Sequence, residues 1–266
     1  MHHPYTTESH PLVRKMESIV GLTSEEREAL RALPMMVREL HADQDIVRDG
    51  DQPSQSCLVL DGLTLRYKLA GEDRRQILSF HMPGEIPDLQ SLYLKTMDHS
   101  LATLTNARLG FIQHRTLFDL MARFPRIAGA FWRETLIDAA IFREWMVGMG
   151  RRKAPSRLAH FLCEMYVRLD SIGMAENWRV SLPITQDEMG DSLGLSAVHT
   201  NRALQELRGK NLIIFERGKL TVPDWQGLVK VGEFDPTYLH LSPKASEAAS
   251  PEHQAGQTVS GPPASH

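Results

Sequence analysis

Cysteine is nearly absent: Cys57 and Cys163 are the only two in 266 residues, and they stand 106 positions apart. So sparse a pair supplies neither a disulfide framework nor a four-thiolate metal or iron–sulfur site, and it fits a reducing, intracellular setting. No run of about 18 apolar residues occurs, so no membrane span is expected. The opening Met1-His2-His3-Pro4 lacks the apolar core of a secretion signal, which points to the cytoplasm. Glycine shows no period of three and prolines are scattered, which excludes a collagen-like chain. A basic excess is also missing, since the formal net charge is −3. That total hides a division. Residues 1–150 carry 17 Lys/Arg against 20 Asp/Glu, residues 151–225 carry 11 against 9, and the remainder carries 2 against 4. The positive segment is C-terminal, and local sign matters more than the total for an anionic partner.

Composition and pattern divide the chain into a flexible N-terminus (1–20), a β-rich domain (21–115), a long helix (116–150), a second domain of helices and short strands (151–235) and a disordered tail (236–266). From Ser242 onward, Pro, Ala, Ser, Gly, Gln and Glu dominate and cannot build a core. Thr23 with Glu26 is a capping box for a short helix through Leu33. Short apolar runs follow, such as Cys57–Leu60, Leu63–Lys68 and Gln76–Phe80, broken by Asp61-Gly62 and Gly71-Glu72-Asp73. Asp-Gly between two such runs is a hairpin signal, and many short strands indicate an antiparallel roll. In 116–149, Ile127, Phe131, Ile137, Ile141 and Trp145 recur near every 3.5 residues, with Glu134 and Gly148 in the same stripe. Such a helix either packs on its own domain or pairs with a twin. Gly148-Met149-Gly150 and Pro155 predict a hinge. A helix with Leu158, Phe161, Leu162, Met165 and Leu169 on one face follows it.

The most informative region begins at Ile184. Thr185-Gln186-Asp187-Glu188 is a second capping box, and Ile184 with Met189 makes the matching hydrophobic staple. The helix stops at Gly194, a residue that readily takes the left-handed conformation. Ser196 caps a second helix, 197–209. Two short helices at this spacing form a helix-turn-helix. Thr200, Ala203, Leu204 and Leu207 of the second helix face inward, and Val198, Asn201, Arg202 and Gln205 face out. Arg can grip guanine, Asn or Gln adenine, and Val the thymine methyl. Ser196 and His199, at the helix start, suit phosphate contacts. Residues 212–222 read as a β-hairpin wing whose tip offers Arg217 and Lys219 to the sugar–phosphate backbone. Each of these side chains also fits an ordinary solvated surface; it is the ordered set of cap, staple, turn, polar face and wing that points to DNA.

The order of a β-roll, a long helix and a winged helix-turn-helix resembles the Crp/Fnr transcription regulators over residues 20–225. The run Ile184–Gly190 through Leu195–Leu204 is similar to that family's reading motif. The resemblance implies an α+β fold: an antiparallel jelly roll like a cyclic-nucleotide-binding domain, a dimerisation helix and a winged helix-turn-helix. It also implies a homodimer on an inverted repeat of double-stranded DNA, with RNA polymerase as a partner and no enzymatic activity. Ser196 and His199 match phosphate-contacting positions, and Arg202 matches the base-reading arginine. The sequence departs from the family at Ala197 and Val198. There, many members carry Arg or Val followed by Glu, so the family's half-site is not carried over.

In this family a Gly-Glu pair holds the ribose of a cyclic nucleotide and an Arg-Ser pair holds its phosphate. Gly84-Glu85 is present, but His99-Ser100 beside Asp98 replaces the second pair, removing the cation that grips phosphate. Haem ligation by His41, His81, His99 or His114 is open in principle, and both cysteines lie in apolar runs that favour inert burial. The expectation is no cofactor and an effector that the residues do not identify. The alternatives are a cyclic-nucleotide or haem receptor whose winged domain contacts proteins, and a cupin-like metalloenzyme. The second of these lacks a close His-x-His pair.

Overall fold

The computed structural model describes residues 10–71 and 74–242. Helices α1 (Pro11–Glu17) and α2 (Ser24–Arg31) precede a roll of seven strands. These are β1 (Met36–Leu40), β2 (Asp45–Val47), β3 (Gln55–Asp61), β4 (Thr64–Ala70), β5 (Arg74–His81), β6 (Ser100–Thr103) and β7 (Ala107–Gln113). They form two antiparallel sheets, ordered β1-β7-β3 and β2-β6-β4-β5. Both sheets bury apolar residues, in β3, β6 and β7 on both faces, among them Leu58, Leu65, Ile77, Phe80, Leu101 and Leu109. This is the predicted roll, with one correction inside it. Asp61-Gly62 does not close a hairpin, because β3 and β4 lie in different sheets. Gly62, at φ +81°, turns the chain from one sheet to the other, and a Cβ there would collide with the backbone of Asn106 and Ala107. The hairpin of this region is β4–β5, in register from Thr64 with His81 to Ala70 with Arg74. Residues 72 and 73 at its tip lie outside the described residues.

The expected single helix over 116–150 is two helices, α3 (His114–Arg123) and α4 (Pro125–Arg151). Phe124 leaves the helical region ahead of Pro125, as a residue before proline tends to. The hinge also shifts. α4 runs through Gly148 and Gly150, and the break falls at Arg152 and Lys153 before α5 (Ala154–Ser171). Pro155 has no N–H to give the Arg151 carbonyl, so α4 cannot continue past it. Ile127, Phe131, Ile137, Ile141 and Trp145 are all buried within their own chain. Of the two fates open to that stripe, packing on its own domain is the one observed.

The C-terminal part wraps around α5. A four-stranded sheet, β10-β11-β9-β8, is built from β8 (Ala175–Glu176), β9 (Arg179–Ser181), β10 (Ile214–Glu216) and β11 (Lys219–Thr221). Helices α6 (Gln186–Leu193), α7 (Ala197–Gly209) and α8 (Trp225–Gly232) complete it. Every residue of α5 from Leu158 to Leu169 is buried, so it is a central helix and not the one-faced helix that its apolar spacing suggested. Its polar face, with His160, Glu164 and Arg168, is buried too, because partners meet it there.

Both tail boundaries need correction. Residues 11–20 are not a flexible leader: Leu12, Val13, Met16 and Ile19 are buried as α1 seats on the roll. Residues 236–242 belong to the folded unit. A 3-10 turn at Pro236–Leu239 buries Leu239, and the Ser242 N–H donates to the Ser18 carbonyl at 2.7 Å. The parts of both predicted tails at 1–9 and 243–266 lie outside the described residues. Among those described, no helix is long and apolar enough to cross a membrane.

Candidate nucleic-acid interface

The reading unit is built from local signals. Thr185 caps α6 by accepting from the Glu188 amide at 3.2 Å, and the Glu188 carboxylate accepts from the Thr185 amide at 2.7 Å. Gly194 ends the helix at φ 63° and ψ 38°. The turn and α7 then approach Gly190 so closely that a Cβ there would lie 2.8 Å from the Leu195 carbonyl oxygen and 3.3 Å from Thr200 Oγ1. Ser196 caps α7 by accepting from the His199 amide, and its hydroxyl also pairs with His199 Nδ1 at 2.9 Å. Thr200, Ala203, Leu204 and Leu207 are buried against the domain core.

Against that anchored side, Ser196, Val198, His199, Asn201, Arg202 and Gln205 are all exposed on one continuous face. Val198 is 59% exposed, although it is apolar, and nothing among the described residues covers it. Asn201 donates to the Gln186 side-chain oxygen at 3.4 Å. Beyond the face, Arg217 and Gly218 take positive φ of 49° and 70° in the two-residue tip joining β10 to β11. Both central residues having φ > 0 fits the twist of a tight hairpin. Arg217 and Lys219 are exposed there. All eight residues singled out in the sequence therefore lie on exposed surface of the helix-turn-helix and its wing.

Other predicted positions are not brought together as a binding site. His99 is buried, with its ring nitrogens engaged by Asp98 at 2.6 Å and Gln90 at 3.2 Å. His81 is engaged by Ser79 and Glu85, His114 by Ser91, and His41 is exposed. Cys57 and Cys163 are buried, and burial pushes both thiols well above their ordinary range, as inert cysteines require.

Sequence reasoning missed a buried ionic network beneath the roll. Glu85 pairs with Lys15 at 3.0 Å, with His81 at 3.0 Å and with Arg168 of α5 at 3.2 Å. Arg168 also pairs with Glu164, whose other oxygen accepts from Trp145 Nε1 at 3.0 Å and the Tyr238 hydroxyl at 2.8 Å. Arg66 pairs with Asp138 of α4 at 2.8 Å. The one signal available was the polar row His160, Glu164 and Arg168, repeating at four-residue intervals on α5 opposite its apolar face.

A Crp-like helix-turn-helix domain model matches residues 156–231, and a cyclic nucleotide-binding domain model matches residues 37–124. The chain is 22% identical to the transcriptional activator protein FnrA of Stutzerimonas stutzeri, over 79% of this chain and 85% of that protein. It is 26% identical to the nitrogen fixation regulation protein FixK of Bradyrhizobium diazoefficiens, over 73% and 82%. Its fold is similar to that of FixK2 from Bradyrhizobium japonicum, with a TM-score of 0.68 and 24% identity over 75% of this chain and 98% of that one. Two domain models in the expected order, together with relatives that span most of the chain, agree with the folded architecture: this chain belongs to the Crp/Fnr family of DNA-binding transcription regulators.

Proposed function

We propose that the chain acts as a cytoplasmic homodimer that reads an inverted repeat in double-stranded DNA with α7. The observation that carries this reading is the uncovered face of α7 set on a fully buried opposite face. Arg202 reads a base edge, with Asn201, Gln205 and Val198 beside it. Ser196, His199, Arg217 and Lys219 hold phosphates. Pairing uses α4 by a stripe other than the predicted one. Trp132, Leu136, Ala139, Arg143 and Met146 follow the alternating four-and-three spacing of a coiled-coil seam. Trp132 is 67% exposed and Met146 68%. RNA polymerase is the partner expected of a bound regulator, and no catalytic role is assigned.

Selection of bound DNA from a random pool, repeated with Arg202→Ala, tests the reading. A dimer should enrich a palindrome whose half-site centres lie about 34 Å apart. Arg202→Ala should cost about 1–3 kcal/mol and relax one base position. If the intact protein enriches no sequence, the reading fails and the winged domain is a protein-contact module.

A further inference from the structure

The Gly84-Glu85 corner of the roll is filled by the chain itself. Gly84 has φ +98°, and a Cβ there would overlap the Pro11 carbonyl oxygen and lie 2.6 Å from the Lys15 Cβ. α1 therefore rests directly on the corner. Its Lys15 ammonium sits 3.0 Å from Glu85 of the roll and 3.1 Å from Glu134 of α4, with side chains only 10%, 5% and 17% exposed. Around them remains a cavity of about 40 Å³. Pockets for drug-sized ligands run to roughly 300–1,000 Å³, so a nucleotide has no room while Lys15 is seated.

The same Glu85 holds the DNA-binding domain. Arg168 Nη2 reaches both its carboxylate oxygens, at 3.2 and 3.3 Å, and donates to the Phe80 carbonyl at 2.8 Å. One carboxylate of the roll thus takes a cation from the N-terminal helix and another from α5. The groups facing this point are Lys15, Arg66 and Arg168 on one side and Glu85, Glu134, Asp138 and Glu164 on the other, with His81 alongside. Burial disfavours the charged form of His81 and Glu134, whereas Lys15 and Arg168 hold Glu85 ionised against the same penalty.

We propose that Lys15 is a tethered ligand: the corner formed by Glu85 and Glu134 is a site for a primary alkylammonium, occupied in cis by α1, and its occupancy keeps Glu85 available to anchor Arg168. Remove the ammonium, and two carboxylates are left facing each other in a buried space, where both cannot stay charged. Glu134, whose charged form burial already disfavours, takes the proton, and its new O–H competes with Arg168 for the Glu85 carboxylate, so that one of the anchors between the DNA-binding domain and the roll is weakened. A site walled by two carboxylates selects against phosphates and for a cationic amine, so a diffusible competitor of Lys15 belongs to that class. The inference about DNA rests on the reading proposed above; the ammonium site does not.

Chemical rescue of the full-length protein tests it. Lys15→Ala deletes the equivalent of n-propylammonium. The probes are n-propylammonium chloride, 1-propanol and cyclic AMP, with ionic strength matched by sodium chloride, because DNA binding is salt-dependent. The wild type should bind its selected DNA with nothing added. Lys15→Ala should bind about tenfold more weakly or worse, as the competent fraction falls. n-Propylammonium should restore most of that loss and raise the melting temperature of Lys15→Ala but not of the wild type, and the other two probes should do neither. Unchanged DNA affinity in Lys15→Ala, no response to the amine, or an equal response to 1-propanol overturns the proposal. If Lys15→Ala does not fold, Lys15→Met keeps the apolar stem without the charge, and wild-type affinity in that variant overturns it equally. If the wild type selects no DNA, the DNA reading fails, and the amine-dependent melting shift still decides the ammonium site.

Discussion

Gln76, on the hairpin strand of the roll, gives its side-chain amide to the carbonyl oxygen of Asp191 in α6, at 2.6 Å. The last carbonyls of a helix have no partner within it; in α6 the Gly190 carbonyl accepts from its own C-cap Gly194, and the last three are supplied by side chains from elsewhere. Gly190 also accepts from the Leu195 amide, Asp191 and Ser192 accept from Gln76, and Leu193 accepts from Arg157 of α5. Arg75 adds an ion pair to the Asp191 carboxylate at 3.0 Å. The end of α6 is thus capped in part by the roll.

Gln76→Ala removes the partner of two of these carbonyls. Lost hydrogen bonds of this kind cost about 1–2 kcal/mol, and the loss should be local. Amide hydrogen exchange in α6 should quicken, while exchange in the β1-β7-β3 sheet stays unchanged. Equal acceleration in both places would mean that the contact supports global stability and does not hold the domains together.

Lys219 and Arg202 should separate in salt titrations. Lys219→Ala, at the wing, should weaken binding to every sequence alike and reduce the salt slope by about 1. Arg202→Ala should change the ranking of sequences. Fluorescence anisotropy against the selected site and a scrambled one distinguishes them, and a sequence-dependent effect from Lys219→Ala would refute its phosphate role.

Leu136→Asp places a carboxylate at the centre of the exposed α4 stripe, on a side chain that is 49% exposed in the single chain. The fold should survive, since Ile137 and Ile141 still face the interior. Analytical ultracentrifugation should find a dimer in the wild type and a monomer in the variant. A dimeric Leu136→Asp would move the interface off this stripe.

Asp88 sets a pH dependence. It is buried, accepts from the Cys57 amide at 2.8 Å, and burial pushes its pKa up to about 7. The unfolded chain releases that proton near pH 4. From about pH 4 to 7 the folded chain therefore holds a proton that the unfolded chain has lost, and stability falls as pH rises through this window. Asp88→Asn keeps an oxygen for the Cys57 amide and removes Asp88's share of the slope, while Asp170, pushed up to about 6 by burial, keeps its own. Urea unfolding should find the variant stabilised by on the order of 2–4 kcal/mol at pH 8 and little changed near pH 4. An equal difference at both values would remove Asp88 from the titration.

The helix-turn-helix was legible because each of its signals is local. Thr185 and Glu188 stand three residues apart, and Gly194 and Ser196 mark the turn by their own conformational preferences. The exposed and buried faces of α7 follow from one helical period. Asp61-Gly62 misled because it fits both a hairpin and a corner between sheets, and strand pairing decides between them from far along the chain. The long helix was legible as a helix, but its buried stripe was easier to see than the exposed one that includes Trp132 and Met146. The pairings of the ionic network were not legible, beyond the polar row on α5. Lys15 lies 70 residues from Glu85, and Arg168 lies 83 from it. α1 and Pro236–Leu239 read as tails because each is short, and only the surfaces they dock on make them ordered.

The bond between Ser242 and Ser18 changes what the hinge at Arg152 and Lys153 can do. A body joined to another by one short segment can swivel in any direction about it. Here the C-terminal half is also held by the Ser242 hydrogen bond beside the start of the roll, by Gln76 and Arg75 at Asp191, and by Arg168 at Glu85. Attachments at several separated points leave no free axis to turn about. A rotation of the reading helix about the hinge therefore has to break some of these contacts first, and the Ser242 bond, held by a single hydrogen bond, is one that it can release without disturbing a charge.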